Sequence, residues 1–82
     1  MHSIWIADDD EAIRLVLEES LSSAGFKPKS FASGEDLVKE LDNSQPDLII
    51  TDVQMPGMLG YDLLKHINNN FEDIPVIVMT AF

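Results

Sequence analysis

Short apolar runs alternate with amphipathic stretches along the whole chain. Ile4-Trp5-Ile6-Ala7 is continuously apolar, as expected of a strand covered on both faces. Ile13, Val16, Leu17, Leu21 and Ala24 then recur at helical spacing, with Arg14, Glu18 and Ser22 on the opposite side. Asp10 stands where a helix N-cap belongs, Glu11 lies near the positive end, and Gly25 is placed to stop the helix as its C′ residue. Phe26 to Ala32 is a poorer strand interrupted by a proline, which assigns it to a sheet edge. Ser33-Gly34-Glu35-Asp36 resembles a capping box and opens a short helix through Leu37, Val38 and Leu41. Beyond the loop Asn43-Ser44-Gln45-Pro46, the run Leu48-Ile49-Ile50-Thr51 reads as a strand that ends on Asp52. Pro56-Gly57 has the order a type II turn prefers. Tyr61 to about Asn70 reads as a third helix with Leu63, Leu64 and Ile67 on one side. Pro75 to Thr80 reads as a fourth strand.

The order β-α-β-α-β-α-β, with connections short enough for right-handed crossovers, predicts a mostly parallel sheet with helices on both faces. Val76 to Met79 is as apolar as an interior strand, yet no later segment pairs with its far side. Edge strands are normally short, charged or covered. The pattern is therefore that of an unfinished sheet, and it predicts self-association, a homodimer through the exposed fourth strand, by edge pairing or segment exchange.

Composition narrows the picture. At 82 residues the chain is one small domain, and 45% apolar content is that of a globular protein. Fifteen acids against five bases give a net charge of -10, which argues against direct nucleic-acid binding by this segment. Without cysteine there is neither a disulfide framework nor thiol chemistry. The apolar runs fall far short of the roughly 20 residues a membrane helix needs, and Met1-His2-Ser3 does not open a secretion signal. A soluble cytoplasmic protein is expected.

The acids carry the chemistry. Two neighbouring parallel strands that end on Asp8-Asp9-Asp10 and on Asp52 bring carboxylates together at the carboxyl edge of the sheet, where open α/β sheets bind ligands. Carboxylates about 5 Å apart repel by roughly 0.8 kcal/mol in water and about 3 at an effective dielectric of 20, so the cluster invites a cation. Oxygen ligands select a hard ion, and an open site with few carboxylates suits Mg²⁺. An EF-hand fits poorly, because Ala12 follows Asp8 and Asp10 where that loop needs another pattern. Zinc lacks its thiolates, and His2 and His66 lie far apart. Asp52, alone at its strand end, is the better nucleophile towards phosphorus. Asp8 and Asp9 are the better metal cradle, and Asp10 the helix cap. Thr80 follows the fourth strand at the same edge, placing a hydroxyl within reach of a phosphoryl group on Asp52.

Ile6-Ala7-Asp8-Asp9-Asp10, Asp52-Val53-Gln54-Met55-Pro56-Gly57 and Val76-Ile77-Val78-Met79-Thr80-Ala81 together resemble the receiver domains of bacterial two-component response regulators. Ile4 to Asp10 and Met55-Pro56-Gly57-Met58 are most similar to the nitrogen regulatory protein C group of enhancer-binding transcription activators. The resemblance implies a flavodoxin-like α/β fold with parallel strand order 2-1-3-4. It also implies that residues 1–82 are the N-terminal two-thirds of a receiver lacking the last helix-strand-helix, where that family carries a phosphate-pairing lysine and a switch aromatic. By the same resemblance Asp52 accepts a phosphoryl group from a sensor histidine kinase. Asp9, and Asp8 through water, hold Mg²⁺ together with Asp52 and the backbone carbonyl of Gln54. Thr80 is the switch hydroxyl, and Ala81 leaves room for the phosphoryl group. The chain would then be a phosphorelay component rather than an enzyme, regulating output and DNA-binding domains of a parent protein. Leu59 stands where the family commonly has aspartate. A haloacid-dehalogenase-type phosphatase is an alternative with the same nucleophile, but its motif needs an aspartate where this chain has Gln54. A second alternative is a fragment that folds or self-associates without signalling.

Overall fold

The computed structural model describes residues 2–52 and 60–79. Among them the chain runs β1 (Ser3–Ala7), α1 (Glu11–Ser23), β2 (Lys27–Phe31), α2 (Gly34–Leu41), β3 (Leu48–Asp52), α3 (Gly60–Asn70) and β4 (Val76–Met79). The four strands form one sheet in the order β2-β1-β3-β4, every pair parallel. This is the predicted order, and each predicted strand and helix is present with its described ends shifted by a residue or two, while the Pro56-Gly57 turn and the Thr80 end of the fourth strand lie outside the described residues.

Local chemistry explains the boundaries. Asp10 caps α1, its carboxylate accepting from the N–H groups of Ala12 and Ile13. The helix ends in a Schellman arrangement, with Gly25 N–H donating to the Ser22 carbonyl and Phe26 N–H to the Leu21 carbonyl. Gly25 has φ +94, a conformation that costs any residue with a Cβ, and so the chain turns there. Ser33 caps α2 by accepting from Asp36 N–H.

β1 is buried on both faces, from Ile4 through Ala7. Trp5 and Ala7 point to one side and join Leu37 and Leu41 of α2, Ile49 of β3, Leu63 and Ile67 of α3, and Ile74. That is the core. Edge strand β2 closes it from the side: Lys29 lies 5.8 Å from the centre of the Trp5 ring and 3.5 Å from Glu40 of α2. A lysine on an exposed edge also discourages further strand pairing.

The opposite face is built differently. Ile4 and Ile6 point there, and the register places Leu48, Ile50 and Ile77 on the same side, since successive residues of a strand alternate faces. The covering helix α1 lies over β1 and β2 and has no buried residue. Ile13, at 41% exposure, and Val16, at 63%, stand largely in solvent, as does Ile77 at 51%. The apolar stripe read along α1 is therefore not a buried stripe. Leu17 and Leu21 are half-buried, and so are Arg14 and Glu18, assigned by periodicity to the outer side.

The two faces should respond differently to truncation. Ile67→Ala, at a fully buried site, should cost about 2–5 kcal/mol, enough to unfold much of the population. Val16→Ala should stay within about 0.5 kcal/mol of wild type, because little packing is lost. Urea unfolding followed by circular dichroism checks both.

Candidate acidic site at the carboxyl edge of the sheet

β1 and β3 are neighbours, with Ala7 opposite Thr51. One residue on, Asp8 leaves β1 level with Asp52, the last residue of β3. The chain turns to opposite sides after these two strands, β1 leading towards β2 and β3 towards β4. That is the topological switch point where open α/β sheets bind ligands. Asp9 follows in the loop, and oxygen atoms from Asp8, Asp9 and Asp52 lie within 4.8 Å of one another. Asp8 is buried, Asp52 half-buried and Asp9 exposed.

Main-chain geometry fixes this loop. Asp8 N–H donates to the Phe31 carbonyl of β2 at 3.1 Å. Asp10 N–H donates to Asp8 Oδ1 at 2.9 Å, and the Asp8 carbonyl accepts from Arg14 Nη1 at 2.6 Å. Under Asp52, the buried Thr51 hydroxyl donates to the Asp52 carbonyl at 3.2 Å. Asp10 turns its carboxylate to the helix and leaves the cluster, as the sequence predicts.

The electrostatics are adverse. At 4.8 Å two unit charges repel by roughly 0.9 kcal/mol in water and about 3.5 at an effective dielectric of 20. Burial pushes the Asp8 carboxyl above its ordinary value of 3.8, the hydrogen bond from Asp10 opposes this, and Asp52, Asp9 and Asp10 add to the rise. A raised carboxyl pKa means that the folded chain holds the proton more tightly than the unfolded chain. The contribution of Asp8 to stability is then greatest below 3.8 and is lost as pH rises through its folded value. At neutral pH its charge opposes folding.

The donor set fits a divalent cation. Three carboxylates supply hard oxygen ligands and no thiolate or imidazole, the chemistry that suits Mg²⁺. Of the sequence-predicted site residues, Asp8, Asp9 and Asp52 are brought together. Gln54 and Thr80, and Ala81 beside it, lie outside the described residues. Arg14 is the functional neighbour that sequence reading missed. It reaches the site through a main-chain carbonyl, for which residue types along the chain give no signal.

Comparison with known proteins decides the family. The response regulator receiver domain model matches residues 4–82. The chain belongs to the response regulator receiver domain family. The DNA-binding transcriptional regulator NtrC of Klebsiella pneumoniae is 46% identical over 77 residues, covering 94% of this chain and 16% of that protein. The transcriptional regulatory protein AfsQ1 of Streptomyces coelicolor is 41% identical over 81 residues, 99% of this chain and 36% of that protein. The NtrC group is thus among the relatives, as the opening residues led us to expect. The receiver spans about one sixth of the length of the NtrC relatives. Among solved structures, response regulator TrrA of Thermotoga maritima in complex with Mg²⁺-BeF superimposes with TM-score 0.95 at 32% identity, covering all of this chain and 71% of that one. TrrA in complex with the histidine kinase ThkA gives 0.93 at the same identity, again covering all of this chain and 71% of that one. These matches confirm the flavodoxin-like receiver fold and place the chain in phosphorelay signalling. Among the described residues no helix is long and apolar enough to cross a membrane.

Asp8→Asn keeps the acceptor for Asp10 N–H and removes a buried charge from the cluster. In metal-free buffer at neutral pH and low salt the variant should be more stable than wild type by about 1–3 kcal/mol. The gain should shrink in 1 M NaCl, where the screening length falls to about 3 Å. Urea titrations at the two salt concentrations measure it.

Proposed function

We propose that this receiver accepts a phosphoryl group on Asp52 from a sensor histidine kinase, in the presence of Mg²⁺, and thereby regulates a transcription-activating output in a longer parent protein. The observation that carries the reading is the convergence of Asp8, Asp9 and Asp52 within 4.8 Å at the switch point of the sheet. The TrrA complexes with Mg²⁺-BeF and with a kinase support the choice of ion and partner. In the transfer, an Asp52 carboxylate oxygen bonds to phosphorus while the bond from phosphorus to the donor's imidazole nitrogen breaks, leaving an acyl phosphate. Asp9, and Asp8 through water, would hold the cation beside Asp52, with the Gln54 carbonyl as a further ligand. The ion, when bound, offsets the charge of the group in transit. Thr80 hydrogen-bonds the phosphoryl oxygens as the switch hydroxyl. In this reading residues 1–82 are the N-terminal two-thirds of a receiver, a phospho-acceptor rather than a turnover enzyme, and DNA contact is left to the output domains.

A second part of the reading concerns assembly. Among the described residues β4 is an outer strand of the sheet and Ile77 on it is half exposed, which favours a homodimer through that strand. Sedimentation velocity should show a concentration-dependent dimer that Ile77→Lys abolishes. A monomer at every concentration rejects it.

Incubation with Mg²⁺ and acetyl phosphate should add one phosphoryl group by intact mass. Asp52→Asn, or excess chelator with the wild type, should add none. Labelling that persists in Asp52→Asn would overturn the assignment. Continuous release of phosphate from an ester would instead favour a phosphatase.

A further inference from the structure

The β1–α1 connection carries three carboxylates in succession, and its conformation decides where two of them point. Asp8 is tied at both ends of its residue: its N–H reaches the Phe31 carbonyl, and its own carboxylate accepts from Asp10 N–H. The remaining main-chain group, the Asp8 carbonyl, accepts from Arg14 Nη1 at 2.6 Å. That is shorter than an ordinary N–H···O contact, as expected when the donor is charged. The carbonyl belongs to the planar peptide unit shared with Asp9, so a clamp on its oxygen sets the plane from which the Asp9 Cα departs. Asp9 is exposed and lacks the strand that places Asp52 and the burial that places Asp8. Its position in the cluster therefore depends on this peptide. Arg14 lies one turn into α1, a helix already anchored by the Asp10 cap, and it is half-buried against the loop.

We propose that Arg14 is a positioning residue for the acidic site: its guanidinium holds the Asp8–Asp9 peptide so that Asp9 is presented to a divalent cation alongside Asp8 and Asp52. The inference rests on the reading of that cluster as a cation site.

Two effects of Arg14 oppose each other, and their signs separate them. As a positive charge near the cluster, Arg14 repels a cation, so its removal should tighten binding if charge is all it contributes. As a clamp it orders a ligand, so its removal should weaken binding. Partners that orient metal ligands are typically worth 10- to 100-fold in affinity. The geometry favours the clamp.

The experiment is a Mg²⁺ titration of the wild-type chain, Arg14→Met and Arg14→Lys, followed through the backbone amide resonances of Asp8, Asp9 and Asp10. Arg14→Met should raise the Kd about tenfold or more. Arg14→Lys, which keeps the charge and one donor, should recover most of the affinity, a rescue that loss of general stability would not produce. Equal or tighter binding by folded Arg14→Met overturns the proposal while leaving the cation site intact. A wild-type chain that binds no Mg²⁺ overturns the site and this proposal with it. If Arg14→Met does not fold, the wild type decides. As the only arginine, Arg14 gives one identifiable set of guanidinium resonances, which should be resolved by slowed rotation; full averaging, as in a free side chain, overturns the clamp.

Discussion

Like charges meet at the carboxyl edge of this sheet, and nothing in their mutual interaction brings them there. The parallel register of β1 and β3 does so, placing the residue after Ala7 beside Asp52. Repulsion of roughly 0.9–3.5 kcal/mol or more for a pair of charges lying within 4.8 Å is an appreciable part of the 5–15 kcal/mol by which ordinary domains are stable. The core beneath must offset it. Trp5, Ala7 and Ile49 are the inward residues of the two strands concerned, and they pack on Leu37, Leu41, Leu63 and Ile67. The site is thus held together by apolar burial a few residues below it, and a cation is the simplest means of relieving the strain above.

The strands were legible because their signal is simple. Ile4 to Ala7 and Leu48 to Thr51 are unbroken apolar or β-branched runs, and each meets an acid at the level where the sheet ends. Once both strands are parallel and adjacent, their acids must converge. The caps at Asp10 and Ser33 and the turn at Gly25 were legible for a similar reason, since each follows from side-chain chemistry within one turn of the chain. What periodicity could not supply was how far α1 is covered. A 3.6-residue repeat identifies an apolar stripe but not the breadth of the surface that receives it, and α1 packs chiefly on β2 and β1. Ile13 and Val16 sit on the flank that overhangs. Arg14 escaped notice because its partner is a main-chain carbonyl, which carries no residue-type signature.

Among the described residues, that asymmetry separates a closely packed side from an open one. On the closely packed side two helices seal β1, β3 and β4, and the residues that support the acidic site belong to it. On the open side Leu48 and Ile50 are only half-buried and Ile77 is half exposed. A site at the rim tolerates this arrangement, because its ligands are placed by strand ends and by hydrogen bonds of the β1–α1 connection, including the one that Arg14 of α1 gives the Asp8 carbonyl.

The proposed division of labour among the three acids follows from their surroundings. A nucleophile must be ionised and reachable. Asp8 is 2% exposed, gives one oxygen to Asp10 N–H, and is driven towards its protonated form chiefly by burial. Those conditions make it a poor attacker in the absence of metal, yet they favour it as a ligand, because a nearby cation restores the charged form that burial disfavours. Asp9 is reachable, but the loop carries it and its placement follows the peptide that Arg14 holds. Asp52 alone combines a strand-fixed backbone with partial exposure. Of the three, Asp8 is the one whose charged form burial disfavours and a neighbouring cation restores.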